Sequence, residues 1–284
     1  MLLSVFHVSR TTAAVLPGMP NLDMPESPLL LDLENVFVQR GDRIALNGMS
    51  LKIAPREHVA ILGPNGSGKS TLIKTITREC YPLLSPETSF RILGKDSWNI
   101  FELRPHMGVV SNDLMATCTR DITGRELVLS GFFGSIGIWP HHHVTPEMEK
   151  KASEVMESLD ADHLRNRWLD ELSSGEGRRL LIARALIHNP RTLLLDEPTT
   201  SLDLAALHEV RGYLRQLAQS GIGLLLVTHH LDDIIPEIER VVLLQKGQVF
   251  ADGPRHDVLQ PGPLSELFGV SVNVYEKDGY YHAW

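Results

Sequence analysis

Short, almost continuous apolar runs alternate with amphipathic segments along most of the chain. Three of these runs, VAIL at 59–62, TLLL at 192–195 and GLLLVT at 223–228, hold hardly a polar residue. Strands buried on both faces of a parallel sheet have this character, and the segment LAALHEVRGYLRQLAQSG at 204–221 has helical spacing. The pattern predicts an α/β fold in which helices cover both faces of a mostly parallel sheet.

A second pattern occupies residues 113–188, where helical spacing dominates. ELVLSGFF at 126–133 and the stretch 145–164 both read as helices, and the latter carries its apolar residues on one face: Met148, Ala152, Val155, Met156 and Leu159. A further helix, SSGEGRRLLIARALIHNP, should stop at Asn189-Pro190. We therefore predict an inserted helical subdomain at about 113–188.

The two ends of the chain differ from its middle. Residues 1–28 end in PGMPNLDMPESP, have no period, and are expected to form a flexible extension. The main domain, 29–253, should open with strands at 29–38 and 45–53 around the turn QRGDR. It should close with a hairpin that turns at Lys246-Gly247. Residues 254–284 form a small tail with the short helix LSELFG and a second hairpin.

Composition narrows the class of protein. The chain of 284 residues has 43% hydrophobic and 22% charged residues, as ordinary globular proteins do. Its net charge of −8 disfavours a nucleic-acid binder. Cys80 and Cys118 form neither a metal pattern nor a disulfide framework, which fits a reduced, cytoplasmic compartment. No stretch reaches the roughly 18 apolar residues of a membrane span, so any membrane association should be peripheral, through a partner.

One stretch between a predicted strand and a predicted helix has the composition of a phosphate-binding loop. GPNGSGKST at 63–71 satisfies G-x-x-x-x-G-K-[ST]. Its glycines let backbone N–H groups surround an anion, and the next helix, KSTLIKTITREC at 69–80, adds its positive end. Lys69 would reach the terminal phosphates and Ser70 would bind Mg²⁺. The nucleotide-binding residues predicted here are Gly63, Pro64, Asn65, Gly66, Ser67, Gly68, Lys69, Ser70 and Thr71.

Three further motifs carry candidate chemistry. RTLLLDEPTTSLD at 191–203 puts Asp196 at the end of an apolar strand, where a rigid carboxylate suits a Mg²⁺ ligand, and Glu197 follows as a candidate general base. Ser173 and Gly175 open a helix and form a second candidate anion site. His229 ends another apolar strand, at an edge where it would contact a γ-phosphate.

Together these motifs resemble those of the ATP-binding cassette (ABC) ATPases over about residues 29–253. GPNGSGKST matches the Walker A loop, LLLDEP the Walker B strand and LSSGE the signature usually written LSGGQ. Asp203 matches the D-loop and His229 the switch histidine. The resemblance implies a P-loop NTPase (RecA-like) core with an N-terminal antiparallel β subdomain. It also implies a head-to-tail homodimer in which each ATP lies between one chain's Walker A loop and the other chain's signature.

The chain departs from that family pattern at Asn112 and at Arg40, and also at Ser174, which replaces a glycine of the signature. The Q-loop glutamine is replaced by Asn112, whose side chain is one methylene, about 1.5 Å, shorter. The aromatic residue that stacks on adenine is replaced by Arg40, whose guanidinium can stack on a base, with Phe37 as the alternative. The consecutive histidines HHHV at 141–144 point apart in an extended loop, so we read them as a loop tip rather than as a metal site.

The resemblance implies an ATPase that needs Mg²⁺, with Glu197 as the base and His229 as the γ-phosphate sensor. SGFFGSIGI at 130–138 and the tail at 264–274 further resemble cassettes for uptake of metal chelates such as iron–siderophore complexes. The main hypothesis is thus the ATPase subunit of a multi-chain importer, held at the cytoplasmic membrane face by separate permease subunits. The alternative is an ABC ATPase uncoupled from transport, in a nucleic-acid, ribosomal or molybdate-related role.

Overall fold

The computed structural model describes residues 28–111 and 121–284. The extension predicted for 1–28 falls, except for Pro28, outside the described residues, and so do Asn112 and Cys118. The strands are β1 Leu31–Arg40, β2 Arg43–Ile53, β3 His58–Leu62, β4 Ser89–Ile92, β5 Met107–Ser111, β6 Thr192–Asp196, β7 Gly223–Thr228, β8 Arg240–Gln245, β9 Gln248–Pro254, β10 Val274–Lys277 and β11 Tyr280–Ala283. The helices are α1 Lys69–Ile76, α2 Ile100–Leu103, α3 Gly124–Phe133, α4 Pro146–Ser158, α5 Ser174–Leu186, α6 Leu204–Gln219, α7 Arg255–Val258 and α8 Pro261–Phe268.

The central sheet has six strands in the order β5-β6-β7-β3-β8-β9. All neighbouring pairs are parallel except β8 and β9, which form the hairpin predicted around Lys246-Gly247. Residues alternate between the two faces, so Leu193 and Leu195 pack into one apolar core and Leu194 packs into another. The predicted α/β fold with a mostly parallel sheet, covered on both faces, is confirmed.

Two smaller antiparallel sheets flank this core. β1 pairs with β2, as the sequence predicted, and on its other side with β4. The three strands and α1 share the second apolar core with β3 and β7. β10 and β11 form the predicted hairpin of the tail.

The helices follow the predicted pattern, with one early end. The apolar face of α4 is buried, and α3 and α5 pack against each other. α1, expected to run to residue 80, ends at Ile76, and Arg78 has a left-handed backbone at φ 64° that a continuing helix does not allow. Among the described helices, none has the length and apolar character required to cross a bilayer.

Candidate functional site

The phosphate loop, residues 63–71, connects β3 to α1 at the carboxyl edge of the central sheet. Gly68 precedes the helix with φ 110°, a conformation that side-chain-bearing residues avoid. A Cβ at Gly63 would lie 2.5 Å from the carbonyl oxygen of Leu244 in β8. Only glycine therefore fits at both positions, and the sequence pattern has a direct steric cause.

Lys69 lies inside this loop and is almost fully buried. Its Nζ donates to the carbonyl oxygens of Gly63 at 2.6 Å and Pro64 at 3.1 Å. Burial lowers the pKa of Lys69, while the nearby carboxylates Glu197 and Asp196 act in the opposite direction. The loop thus holds an ammonium group in a shielded position next to two acids.

The loop has the features of an anion cradle. Among the residues that the structure describes, no side chain caps the N-terminus of α1, so its first N–H groups keep their capacity for an external acceptor. The buried hydroxyl oxygen of Ser67 has no hydrogen-bond partner in the part of the chain that the structure describes. Unpaired donors and a lysine at one helix end fit the phosphates of a nucleotide.

Three neighbouring strands of the sheet, β6, β7 and β3, bring the predicted catalytic residues together. Asp196 ends β6, and Glu197 follows it with a left-handed backbone at φ 47°. The Glu197 N–H donates to the carbonyl oxygen of Val227 at 2.8 Å. His229 follows β7, and its Nδ1 lies 2.8 Å from Oε1 of Glu197. An ionised carboxylate only accepts, so Nδ1 carries the proton in this contact.

A cavity of about 570 Å³ extends from these residues into a groove between the sheet and the helices α3 and α5. Its lining includes Ser70 and Asp196 as well as Arg104, Arg184 and His188. Burial lowers the pKa of His188, whose Nε2 lies 3.3 Å from the carbonyl oxygen of Gly131. The groove therefore links the acids of the site to a partly basic surface.

The signature residues lie at a second place in the fold, where the N-termini of α5 and α6 meet. Ser173 caps α5: its Oγ accepts from the Glu176 N–H, and its own N–H donates to the Glu176 carboxylate at 2.8 Å. That hydrogen bond lowers the pKa of Glu176. A Cβ at Gly175 would lie 2.7 Å from Cβ of Ala206, one turn into α6, whose N-cap is Asp203. Ser173 and Asp203, both exposed, and the buried Gly175 thus lie where the two helix N-termini meet.

The candidate base-stacking residues lie on the N-terminal hairpin. Arg40 is exposed at the end of β1, opposite Arg43, and Phe37 is half-buried with its ring against Gly48. β2 itself touches the phosphate loop, since a Cβ at Gly68 would lie 2.9 Å from the Ala45 carbonyl oxygen. The choice between Arg40 and Phe37 therefore stays a prediction.

The histidine run at 141–143 lies in the loop before α4. The ring of His142 stacks on Phe133 with 4.1 Å between centroids. Within 28–111 and 121–284, no group of three or more His, Cys, Asp and Glu side chains is placed to hold a metal ion.

Sequence reasoning missed Asp233, which lies between the two loops that carry Glu197 and His229. Its carboxyl group accepts from the hydroxyls of Thr199 and Thr228, and all three side chains are buried. No pattern in the sequence pointed to it, because Thr199 lies 34 residues from Asp233.

Comparison with known proteins gives consistent matches. The family model described as ABC transporter matches residues 46–200. The hemin import ATP-binding protein HmuV of Escherichia coli O157:H7 is 32% identical, with 89% of this chain and 97% of that protein covered. The phosphonates import ATP-binding protein PhnC 2 of Haloarcula marismortui is also 32% identical, with 87% and 91% covered.

A solved structure matches as well. It is a dimeric, post-hydrolysis state of an ATP-binding cassette bound to ADP and phosphate. The match has a TM-score of 0.63 and 28% identity, over 79% of this chain and 98% of that one.

Proposed function

The chain belongs to the ABC transporter family, as one of its ATP-binding cassettes, and we propose that it hydrolyses ATP to drive a multi-chain importer. The observation that carries the proposal is the 2.8 Å contact between Glu197 and His229 beside the loop that holds Lys69. A candidate base and its histidine partner meet where three strands end, next to an anion cradle. Hydrolysis of a bound phosphoanhydride needs such a base within reach of the terminal phosphate.

The residues divide the reaction between them. Lys69 and the first N–H groups of α1 bind the phosphates, and Ser70 and Asp196 are the residues that would hold Mg²⁺, whose charge stabilises the phosphates during transfer. Glu197 orients a water molecule and accepts its proton as the oxygen attacks phosphorus. His229 donates Nδ1–H to Glu197, which leaves Nε2 as its nitrogen for the nucleotide.

The surface around Ser173, Gly175 and Asp203 has no role in that reaction within one chain. We infer that it closes over the nucleotide of a second copy, so that the active form is a head-to-tail homodimer. The dimeric cassette with ADP and phosphate supports a dimeric form. Adenine would then contact Arg40, or alternatively Phe37, at the tip of the N-terminal hairpin.

The permease partner would dock over the groove that reaches Arg104 and Arg184. This groove begins at the acids of the site and is bordered by Ser111, the residue before Asn112. A segment with apolar and acidic side chains fits its lining, so nucleotide state and partner binding would share one surface. The protein would thereby lie peripherally on the cytoplasmic face of the membrane. Import of a metal chelate is supported by the hemin-import relative, whereas the phosphonate-import relative favours a different cargo at equal identity.

The test is co-purification from detergent-solubilised host membranes with tagged Glu197→Gln protein and ATP. This variant should bind ATP, stall before hydrolysis and accumulate as a dimer, so a polytopic membrane protein should co-purify at near-equal amount. The matched control is Lys69→Ala, which should bind neither ATP nor a stable partner. Recovery of ribosomes, DNA or the cassette alone with Glu197→Gln would refute the transport role.

A further inference from the structure

Asp233 is a buried carboxyl group with no part in the reaction described above. It is 3% exposed and lies in the short helical turn after β7. Oδ2 accepts from the Thr228 hydroxyl at 2.5 Å, and Oδ1 accepts from the Thr199 hydroxyl. A buried acid is costly unless its oxygens are hydrogen-bonded, so both hydroxyls are needed to keep it there.

Its two partners adjoin the catalytic residues. Thr199 is two residues after Glu197, and Thr228 directly precedes His229. The Thr228 hydroxyl also accepts from the N–H of His230 at 3.0 Å, so the backbone on both sides of His229 is held by one side chain. Asp233 therefore connects the loop after β6 to the loop after β7.

The connected segment is strained at its catalytic residue. Glu197 has φ 47°, a left-handed conformation that an ordinary side chain adopts only when its surroundings enforce it. One constraint is the hydrogen bond that the backbone N–H of Glu197 donates to the carbonyl oxygen of Val227, on the N-terminal side of Glu197 Cα. The hydrogen bond from Thr199 to Asp233 supplies a second constraint, on the C-terminal side of Glu197. Through Asp233, it connects this segment to the strand that ends at Thr228.

We propose that Asp233 is a positioning residue for ATP hydrolysis, which bridges Thr199 and Thr228 and thereby holds Glu197 and His229 in contact. The inference rests on the proposed function, since it assigns a role within the same site. Without the bridge, the Glu197 carboxylate and the His229 ring lose their fixed separation. The phosphate loop connects β3 to α1 and is not part of this bridge, so it is unchanged. The expected effect is on turnover and not on ATP affinity.

The first experiment compares Asp233→Asn, Asp233→Ala and Thr228→Val with wild type. The kcat should fall by about 10- to 100-fold, as displacement of a catalytic group does. The KM and the Kd for ATP should change less than about threefold. Thr228→Val added to Asp233→Ala should cause little further loss, because both remove the same bridge. The matched control is Asp232→Asn, whose carboxyl group bonds His282 in the tail and should leave kcat unchanged.

The second experiment measures the contact between Glu197 and His229 independently of ATP turnover. In protein labelled with ¹⁵N-histidine, His229, assigned through His229→Gln, should show the Nδ1–H tautomer in wild type and a mixture in Asp233→Ala. An unchanged tautomer, a normal kcat in Asp233→Ala, or a kcat loss matched by lost ATP binding would overturn the proposal. Thr228→Val gives the same tests if Asp233→Ala does not fold. Wild-type protein that hydrolyses no ATP would refute the proposed function, and the tautomer would still decide the role of Asp233.

Discussion

The contact between Glu197 and His229 predicts a strongly non-additive double-mutant cycle. Loss of a general base costs about 10²- to 10⁴-fold in rate, so Glu197→Gln should lower kcat by that factor. The two side chains are 25% and 28% exposed and 2.8 Å apart, so most of their contact is shielded from water. Contacting residues couple by about 0.5–3 kcal/mol, and this shielding favours values above about 1.4 kcal/mol, which correspond to about 10- to 150-fold in rate. His229→Ala should therefore cost about 10- to 100-fold alone and almost nothing once Glu197 is glutamine.

The assay is steady-state phosphate release at saturating ATP for wild type, both single variants and the double variant. ATP binding is measured in parallel, so that affinity and turnover are separated. The control cycle uses an exposed histidine outside the site, His256, in place of His229: His256→Ala should change kcat little in either background. If the double variant is slower by the product of the single effects, the two residues act independently and the reasoning from their contact is wrong.

Three other predictions concern binding, packing and pH. Lys69→Met keeps the side-chain stem but removes a charged donor worth about 1.5–3 kcal/mol. Isothermal titration should therefore show ATP binding weakened at least about 10-fold. In the control variant Lys74→Met, the Kd for ATP should stay within about threefold of the wild-type value. Gly175→Ala should lower the free energy of unfolding by about 1–3 kcal/mol because its Cβ would overlap α6. Gly212→Ala should raise it by about 0.5–1 kcal/mol, because no atom of the described residues lies within 4 Å of the added Cβ. Urea titration distinguishes the two signs. Burial lowers the pKa of His188, so the unfolded chain binds more protons than the folded chain, and stability falls as pH drops below about 6.5. His188→Gln should therefore reduce the difference between the urea midpoints at pH 7.5 and pH 5.5. An unchanged difference would contradict this.

Local sequence determined the elements whose cause is local. The phosphate loop was predictable because Gly63 and Gly68 have conformations or contacts that other residues cannot adopt, and the alternation of strands and helices follows from periodicity. The hairpin turn at Lys246-Gly247 was predictable for the same reason, since both residues have positive φ. The strand Met107–Ser111 was not predicted, because it is short and its partner strand, Thr192–Asp196, lies some 85 residues later in the chain.

By itself, the sequence thus determined the phosphate loop, the acids at the strand end and the order of elements, since each depends on residues close together in the chain. The tertiary structure decided which strands are neighbours, and through them that Glu197 meets His229 and that Asp233 joins their loops. Those contacts bridge 32 and 34 residues of sequence. The physical reason is that the sheet places β7 beside β6, and pairing across that boundary depends on burial of the whole core and not on any local preference.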